Sequence, residues 1–295
     1  MDSIDSRISS SVFFNQGLSG MSNAQAGIAK AMEEISSGRR DIRASNDPVA
    51  AASIVDLGRS VSRLEQYQRN ADFAEARHGL TENALQSITE VLNRAREVAI
   101  QFNSGGQSDV SRNALRSELG QLRDQLLSEL NTQDERGDYI FSGSRVKDKP
   151  YSGATATFLG GAAAGTPLAI EVAEGGRQVQ AGWIASGFEG VLQALNDMAD
   201  PAGPNTVDTA RFDTIVQASD QAMLMRTEVG GAMRAVELAR TDNEGELYGY
   251  TTALSSLRDT DYPSAITELN KHTLLLQATQ STMAKVQGLS LFNEI

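Results

Sequence analysis

The chain has 295 residues, enough for one large domain or for two to three smaller ones. It contains no cysteine, which excludes disulfides, a thiolate nucleophile and any cysteine-based metal site. The formal net charge of -12 argues against duplex DNA and anionic membranes as main partners. Only 5% of the residues are aromatic, which favours long, thin helices over a thick globular core.

Near the N-terminus, apolar residues recur at alternating steps of four and three. This spacing predicts a helix over residues 14–36 with a narrow stripe, the pattern of a coiled-coil seam. The stripe consists of Phe14, Leu18, Met21, Gln25, Ile28, Met32 and Ile35.

Two signals after this helix predict a joint. Ser36-Ser37-Gly38 ends the helix, because Gly38 can take the left-handed conformation that closes a helix. Asp47-Pro48 starts the next helix, because Asp47 caps free amides and proline is tolerated at the first helical position.

The next helix is predicted from Pro48 to about Phe102, and Ser104-Gly105-Gly106 breaks it. A third helix follows from about Asp109 to Glu135, so that the two most simply form an antiparallel hairpin. At Gly137 the period changes to short β-prone runs punctuated by glycines, which predicts a small β insertion over 138–186. The expected strands are 139–141, 154–159, 168–172 and 178–180.

The helical pattern resumes at Phe188, and a long helix is expected over about 206–256. Asp261-Tyr262-Pro263 marks a second joint, and a last helix runs to about Gln287. It carries a second stripe at alternating steps of three and four, formed by Ile266, Leu269, Thr273, Leu276, Gln280, Met283 and Gln287. An apolar tail with Leu289, Leu291 and Phe292 follows.

The sequence therefore predicts a mainly α fold with a small β insertion. Each terminal stripe needs a partner helix, so the two ends of the chain pack on each other, on neighbouring copies, or on both. We expect three domains. The first is a terminal coiled-coil domain of 1–45 with 262–295, ordered on assembly. The others are a helical rod domain of 46–137 with 187–261 and a projecting β domain of 138–186.

No catalytic constellation is evident. The two histidines, His78 and His272, lie far apart on predicted helices, and there is no nucleophile elbow, Walker loop or HExxH. We expect no enzymatic activity, cofactor or metal. The first 20 residues lack a signal-peptide core, and no stretch approaches the roughly 18 apolar residues of a membrane span.

Several short motifs resemble the flagellin family. The joint of the family resembles Ser36-Ser37-Gly38. The family's N-terminal start resembles Arg7-Ile8-Ser9, and its closing motif resembles Leu289-Ser290-Leu291-Phe292. Two further motifs resemble the hook-associated protein 3 branch, which forms the hook–filament junction. One is Asn46-Asp47-Pro48-Val49, and the other runs from Tyr139 through Phe141 to Gly143. The extension Met1 to Ser6 and the proline at 263 depart from the pattern.

The resemblance implies a structural protein that is exported without a cleaved signal peptide and acts outside the cell. Copies would form a ring on the hook, with terminal helices as an inner tube and the β domain outward. The implied partners are further copies of the chain, a hook-side junction protein and filament flagellin. An export chaperone would hold the C-terminal segment, including Leu274, Leu275 and Leu276. Neither nucleic acid nor membrane is implied.

Two other readings stay open at this point. Filament flagellin shares the terminal motifs and differs at the two branch-specific ones. A cytosolic coiled-coil scaffold would explain the helices and the charge, but it needs no paired joints at 36–48 and 258–263.

Overall fold

The computed structural model describes residues 2–104, 108–152, 157–158, 166–203 and 205–292, with side chains described at 12, 14–104, 108–151, 166–203 and 205–285. These residues form six α-helices. They are α1 (Asp2–Ser37), α2 (Pro48–Asn103), α3 (Asp109–Leu130), α4 (Glu189–Ala199), α5 (Thr209–Arg258) and α6 (Tyr262–Phe292). All six were predicted, and α2 has the predicted bounds to within one residue.

Three helix ends differ from the prediction. Helix α1 begins at Asp2 rather than at residue 14, and α6 continues to Phe292 rather than to about 287. Helix α3 ends at Leu130, not near Glu135. Beyond this end, the carboxylate of Asp134 accepts bonds from the backbone amides of Arg136 and Asp138, so residues 134–138 form a turn and not a further helical turn.

The chain divides into two compact units. One comprises Met1–Val61 with Tyr248–Ile295, and the other comprises Ser62–Leu247. Helices α2 and α5 each contribute to both units. The predicted three-domain division at 45/46, 137/138, 186/187 and 261/262 stays a prediction.

The described strands form two small antiparallel hairpins. Strand β1 (Tyr151–Ser152) pairs with β2 (Thr157–Phe158), and β3 (Ala169–Ala173) pairs with β4 (Arg177–Gln180). The predicted runs 168–172 and 178–180 are confirmed as strands to within one residue. Of the predicted run 154–159, Thr157 and Phe158 form a strand, and the rest lies outside the described residues.

The predicted strand at 139–141 is wrong. Tyr139 and Ser142 form only isolated bridges, to Gln133 and Ile184. The backbone here bonds to several segments in turn instead of to one strand, and Ile140 and Phe141 are both fully buried. A continuous strand would alternate these two side chains between its faces.

The unit of residues 62–247 has a main core between α2, α3, α4 and α5. Arg94 of α2 pairs with Glu118 of α3 at 2.6 Å, and Arg77 of α2 pairs with Asp134, just beyond the end of α3. Because the residue number falls along α2 as it rises along α3, the predicted antiparallel hairpin is confirmed. Fully buried members of this core include Leu92, Leu126, Leu195 and Ile215.

A second core lies where α3 and α4 no longer accompany α2 and α5. Ala71 and Ala74 of α2 and Val236 of α5 pack there against Val172 of β3 and Val179 of β4. The β3–β4 hairpin thus covers this part of the two long helices. Trp183, Phe141 and Tyr151 belong to the main core, so the described part of the β insertion shares its cores with the helices.

Over the described residues, none of the helices combines the length and the apolar character that crossing a membrane requires.

Candidate assembly surface

Helices α1 and α6 pack against each other in antiparallel orientation. Gly17 faces Met283, Gly20 faces Thr279 and Gly27 faces His272. The contact is close at Gly27, where an added Cβ would lie 2.5 Å from the imidazole of His272. The first and last helices of this unit therefore meet within one chain.

Small residues on α1 make this contact. Ala24 and Ala31 are each only 4% exposed, and the glycines at 17, 20 and 27 continue their face. This face lies beside the predicted stripe rather than on it. This face was not predicted, because the prediction rests on large apolar residues. The signal was present, since 17, 20, 24, 27 and 31 are themselves spaced by alternating threes and fours.

The predicted stripe residues divide into two groups. Those on the side towards the helix contact are partly buried, namely Met21, Ile28, Ile35, Leu269, Leu276 and Met283. Those on the other side are exposed: Phe14 at 44%, Leu18 at 54%, Met32 at 57% and Ile266 at 47%. Leu289, Leu291 and Phe292 have helical backbone, and their side chains lie outside the described residues.

Further apolar side chains of α6 are exposed in the same unit. Leu274 is 68% exposed and Leu275 is 48% exposed. An isolated exposed leucine is ordinary, whereas several exposed apolar side chains on one helical pair form a candidate assembly surface.

The two joints are bonded to each other. Gly38 has a φ of 67°. Its amide donates a hydrogen bond of 2.9 Å to the Glu34 carbonyl, which closes α1. Thr260 donates its amide to the Gly38 carbonyl at 3.0 Å and its hydroxyl to the Glu34 carbonyl at 3.1 Å. The amide of Arg40 also bonds to the Arg258 carbonyl. The mirrored joints predicted from the sequence thus form one connection.

The remaining joint residues have local roles. Asp47 caps α2, since its side chain accepts a bond from the Ala50 amide at 2.9 Å, and Pro48 is the first helical residue. Ser36, Ser37 and Asn46 are exposed. Pro263 fits into the first turn of α6, where its missing N–H costs no helical bond.

The motif around Tyr139 lies in the other unit and is structural. Phe141 is fully buried, and Gly143, with a φ of 61°, donates its amide to the Trp183 carbonyl at 2.9 Å. Tyr139 bonds through its amide to the Val146 carbonyl and through its carbonyl to Arg77. These contacts fold residues 139–146 onto the main core.

Two neighbouring side chains of α2 hold the same region. Arg77, 2% exposed, bonds to the Asp134 carboxylate at 2.6 Å and to the Ala181 carbonyl at 2.9 Å. His78 is fully buried, with its Nε2 2.7 Å from the Gln180 carbonyl and its ring edge-on to Trp183. The sequence predicts His78 only as a position on a helix and does not single out Arg77.

The surroundings of His78 and Asp134 shift the pKa of each group. Burial lowers the pKa of His78 below 6.5, against the opposing effect of the bond to Gln180. Burial also raises the pKa of Asp134, but the amides of Asp138 and Arg136 and the charge of Arg77 outweigh it and bring this pKa below its usual value. The described residues contain no group of three or more acidic or histidine side chains that could hold a metal ion.

The chain resembles known flagellar proteins. A family model described as the bacterial flagellin N-terminal helical region matches residues 8–146. Flagellar hook-associated protein 3 of Escherichia coli K12 is 27% identical over 312 aligned positions, covering 97% of this chain and 98% of that protein. A flagellin of Bacillus subtilis 168 is 25% identical and covers 95% of each chain.

Solved structures agree on the fold. A flagellar hook-associated protein from Vibrio parahaemolyticus superposes with a TM-score of 0.63 at 22% identity, covering 72% of this chain and all of that one. Together these comparisons confirm, over nearly the whole chain, the resemblance to the hook-associated protein 3 branch of the flagellin family that the sequence motifs predicted.

Proposed function

We propose that this chain is a structural component of the bacterial flagellum, where identical copies form a ring that joins the hook to the filament. The exposed apolar side of the α1–α6 pair carries the proposal. The contact between α1 and α6 is made on α1 by small residues. It leaves the large side chains of Phe14, Leu18 and Met32 exposed. A helical pair that leaves such residues in water is suited to assembly with further helices.

The proposed assembly places the terminal helices α1 and α6 on the inside. Terminal helices of neighbouring copies would pack through their exposed stripes into an inner tube, with the helices of residues 62–247 around it and the β hairpins outward. The hook-side junction protein and the filament flagellin would contact the two rims of the ring. This role needs no cofactor and no catalysis.

Export and location follow from the same proposal. The protein would leave the cell without cleavage of a signal peptide and function extracellularly. Before export, a chaperone would cover the C-terminal segment, where Leu274 and Leu275 are exposed. Covering these leucines would prevent premature association of copies, because exposed apolar surface drives association.

A deletion strain of the source bacterium tests the function. We expect cells that lack this chain to build hooks without filaments and to release an intact, separate flagellin into the medium, with filaments restored by the wild-type gene. If no separate flagellin is released, the chain is itself the filament protein. If filaments form normally without the chain, the junction function is wrong.

A further inference from the structure

Methionine supplies all the sulfur in this chain, because the sequence contains eight methionines and no cysteine. A peroxide converts the thioether of methionine to a sulfoxide, and methionine sulfoxide reductases reverse the change. Exposure divides the methionine side chains into two groups. Met32 is 57% exposed and Met223 is 70% exposed, whereas Met198 is fully buried and Met225 is 3% exposed. A dissolved oxidant therefore reaches Met32 and Met223 before the two buried side chains.

Met32 lies on the exposed side of the α1–α6 pair. Gly27 faces His272 in this antiparallel contact. Met32 follows Gly27 by five residues on α1. Ile266 precedes His272 by six residues on α6, so it lies at about the level of Met32. Because Ile266 is 47% exposed, the pair presents two apolar side chains to another molecule at this level.

The α1 neighbours of Met32 suit an apolar contact. The residues three or four positions away are three apolar residues and one serine, namely Ile28, Ala29, Ile35 and Ser36. The hydroxyl of Ser36 already donates to the Glu33 carbonyl at 3.1 Å. A sulfoxide oxygen at Met32 would therefore need a hydrogen-bond donor from water or from another molecule.

Met223 has polar surroundings instead. It lines a shallow depression together with Glu82, Arg226 and Thr227. Glu82 and Arg226 form an ion pair of 2.5 Å there. An oxygen added to Met223 would lie beside a guanidinium that carries several donors. Met223 is thus a comparison residue that is as open to oxidants as Met32 but lies outside the terminal helices.

We propose that Met32 is a redox-sensitive modification site that controls assembly. Hydrogen peroxide, a two-electron oxidant, transfers one oxygen atom to the Met32 thioether, so the sulfur is oxidised to the sulfoxide and the peroxide is reduced to water. The sulfoxide weakens packing against the apolar helices of a neighbouring copy, because that contact removes water from the new oxygen. Once assembled, the neighbouring copy covers Met32 and protects its sulfur. This inference rests on the proposed ring.

Peroxide treatment of the purified protein tests the modification itself. Trypsin cleaves after Lys30 and Arg39, so the peptide of residues 31–39 carries Met32 as its single methionine, and its mass reports the added oxygen. We expect Met32 to be oxidised before the buried Met198, and to stay unmodified in isolated flagella under the same treatment. Oxidation of Met32 as slow as that of Met198 in solution, or as fast in flagella as in solution, contradicts the proposal.

Binding to hooks tests the consequence of the modification. Hooks isolated from a strain that lacks this chain are mixed with treated or untreated protein, and the bound protein is measured after sedimentation. The starting protein is Met21→Leu with Met283→Leu, in which Met32 is the single methionine of α1 and α6. We expect peroxide to weaken binding at least about tenfold, which corresponds to about 1.4 kcal/mol.

Two further variants of this starting protein assign the effect to one residue. Adding Met32→Leu should make hook binding insensitive to peroxide, because leucine has a similar volume but no sulfur. Adding Met223→Leu should leave the sensitivity in place. Each variant is compared with its own untreated form, so differences in basal affinity do not enter. Equal sensitivity with and without Met32 rules out the assignment.

Enzymatic reversal separates the sulfoxide from other damage. Methionine sulfoxide reductases of both stereospecificities, supplied with a dithiol, should restore hook binding, while the dithiol becomes a disulfide and the oxygen leaves as water. Binding that stays lost after the peptide of residues 31–39 has regained its original mass overturns the proposal. Normal binding by protein that is fully oxidised at Met32 also overturns it and leaves the proposed function intact. If untreated wild-type protein does not bind to hooks, the proposed function fails, and with it the ring on which this inference rests.

Discussion

At the scale of single residues, the fold depends on polar side chains that the hydrophobic pattern does not reveal. Arg77 and His78 are adjacent on α2, and each bonds to the chain just after β4 or at its end. Arg116, 4% exposed, bonds to the carbonyls of Met198 and Asp200 at the end of α4 and lies over the ring of Phe102. From sequence alone each looks like a surface arginine or histidine, because its partners come from segments about 60 to 100 residues away.

Arg77→Met tests the buried ion pair. The side chains of Arg77 and Asp134 are 2% and 7% exposed, so the variant leaves a buried carboxylate without its guanidinium. We expect a loss of about 3–5 kcal/mol in the free energy of unfolding. The measurement is chemical denaturation followed by the fluorescence of Trp183, the single tryptophan.

The matched control is Arg63→Met. Arg63 pairs with Glu174 at 3.0 Å, but the two side chains are 53% and 40% exposed, so a loss below about 1 kcal/mol is expected. If both variants lose the same free energy of unfolding, burial does not increase the contribution of the Arg77–Asp134 pair to stability.

The lowered pKa of His78 predicts that the stability of the protein depends on pH. Because burial lowers its pKa in the folded protein, the unfolded chain binds the proton first as the pH falls below 6.5. The free energy of unfolding should therefore decrease from pH 6.5 down to the folded-state pKa, by up to about 1.4 kcal/mol per pH unit. Above pH 6.5 the stabilising effect of neutral His78 is fully present.

Two histidine variants isolate this effect. His78→Gln keeps a donor for the Gln180 carbonyl but cannot titrate, so its stability should lose that part of the slope. His272→Gln is the matched variant that still contains His78, so the part of the slope that comes from His78 should remain in it. Urea denaturation at a series of pH values measures both, and an unchanged slope in His78→Gln contradicts the assignment.

At the scale of elements, α1 has two faces with regular spacing, and only the face of large residues was predicted from the sequence. The stripe of large residues contains Leu18 and Met32, which are exposed, while Ala24 and Ala31 close the contact with α6. Periodicity predicted the helices and their amphipathic character well, because both faces repeat with the same spacing. It could not decide which face meets α6, since that depends on how closely two backbones approach.

Met32→Asp separates the two faces. Met32 is 57% exposed, so the charge should not disturb the face of α1 that contacts α6, and it should prevent packing against a neighbouring copy. We expect the soluble protein to keep its helicity by circular dichroism, while strains with this variant fail to build filaments.

Asn23→Asp is the control for charge alone, because Asn23 is exposed on another face of α1. It should support normal filaments. Normal filaments in the Met32→Asp strain would show that the exposed stripe is not an assembly surface.

The β elements were harder to predict for a physical reason. The runs that became β3 and β4 pair with each other across a short turn, so their signals are local. The 139–141 run is equally β-prone, yet its backbone bonds to Thr132, Val146 and Trp183. Such mixed pairing is set by tertiary contacts and leaves no period in the sequence.

At the scale of the whole molecule, the two units should differ in stability before assembly. The unit of residues 62–247 has two cores, whereas α1 contributes mainly glycine and alanine to its contact with α6, and the larger apolar residues on that side are only partly buried. In a verified monomer we expect fast hydrogen exchange over residues 17–35 and strong protection over 84–99. Assembly should protect the first segment. Strong protection of 17–35 in the monomer would contradict ordering on assembly.

The central claim is that the protein sits between hook and filament, and immunogold electron microscopy of the source bacterium tests it most directly. The antibody is raised against residues 138–186, which the proposed ring turns outward. We predict gold label confined to the hook–filament boundary. Label along the whole filament would make the chain a flagellin, and label only inside the cell would contradict a role in the flagellum.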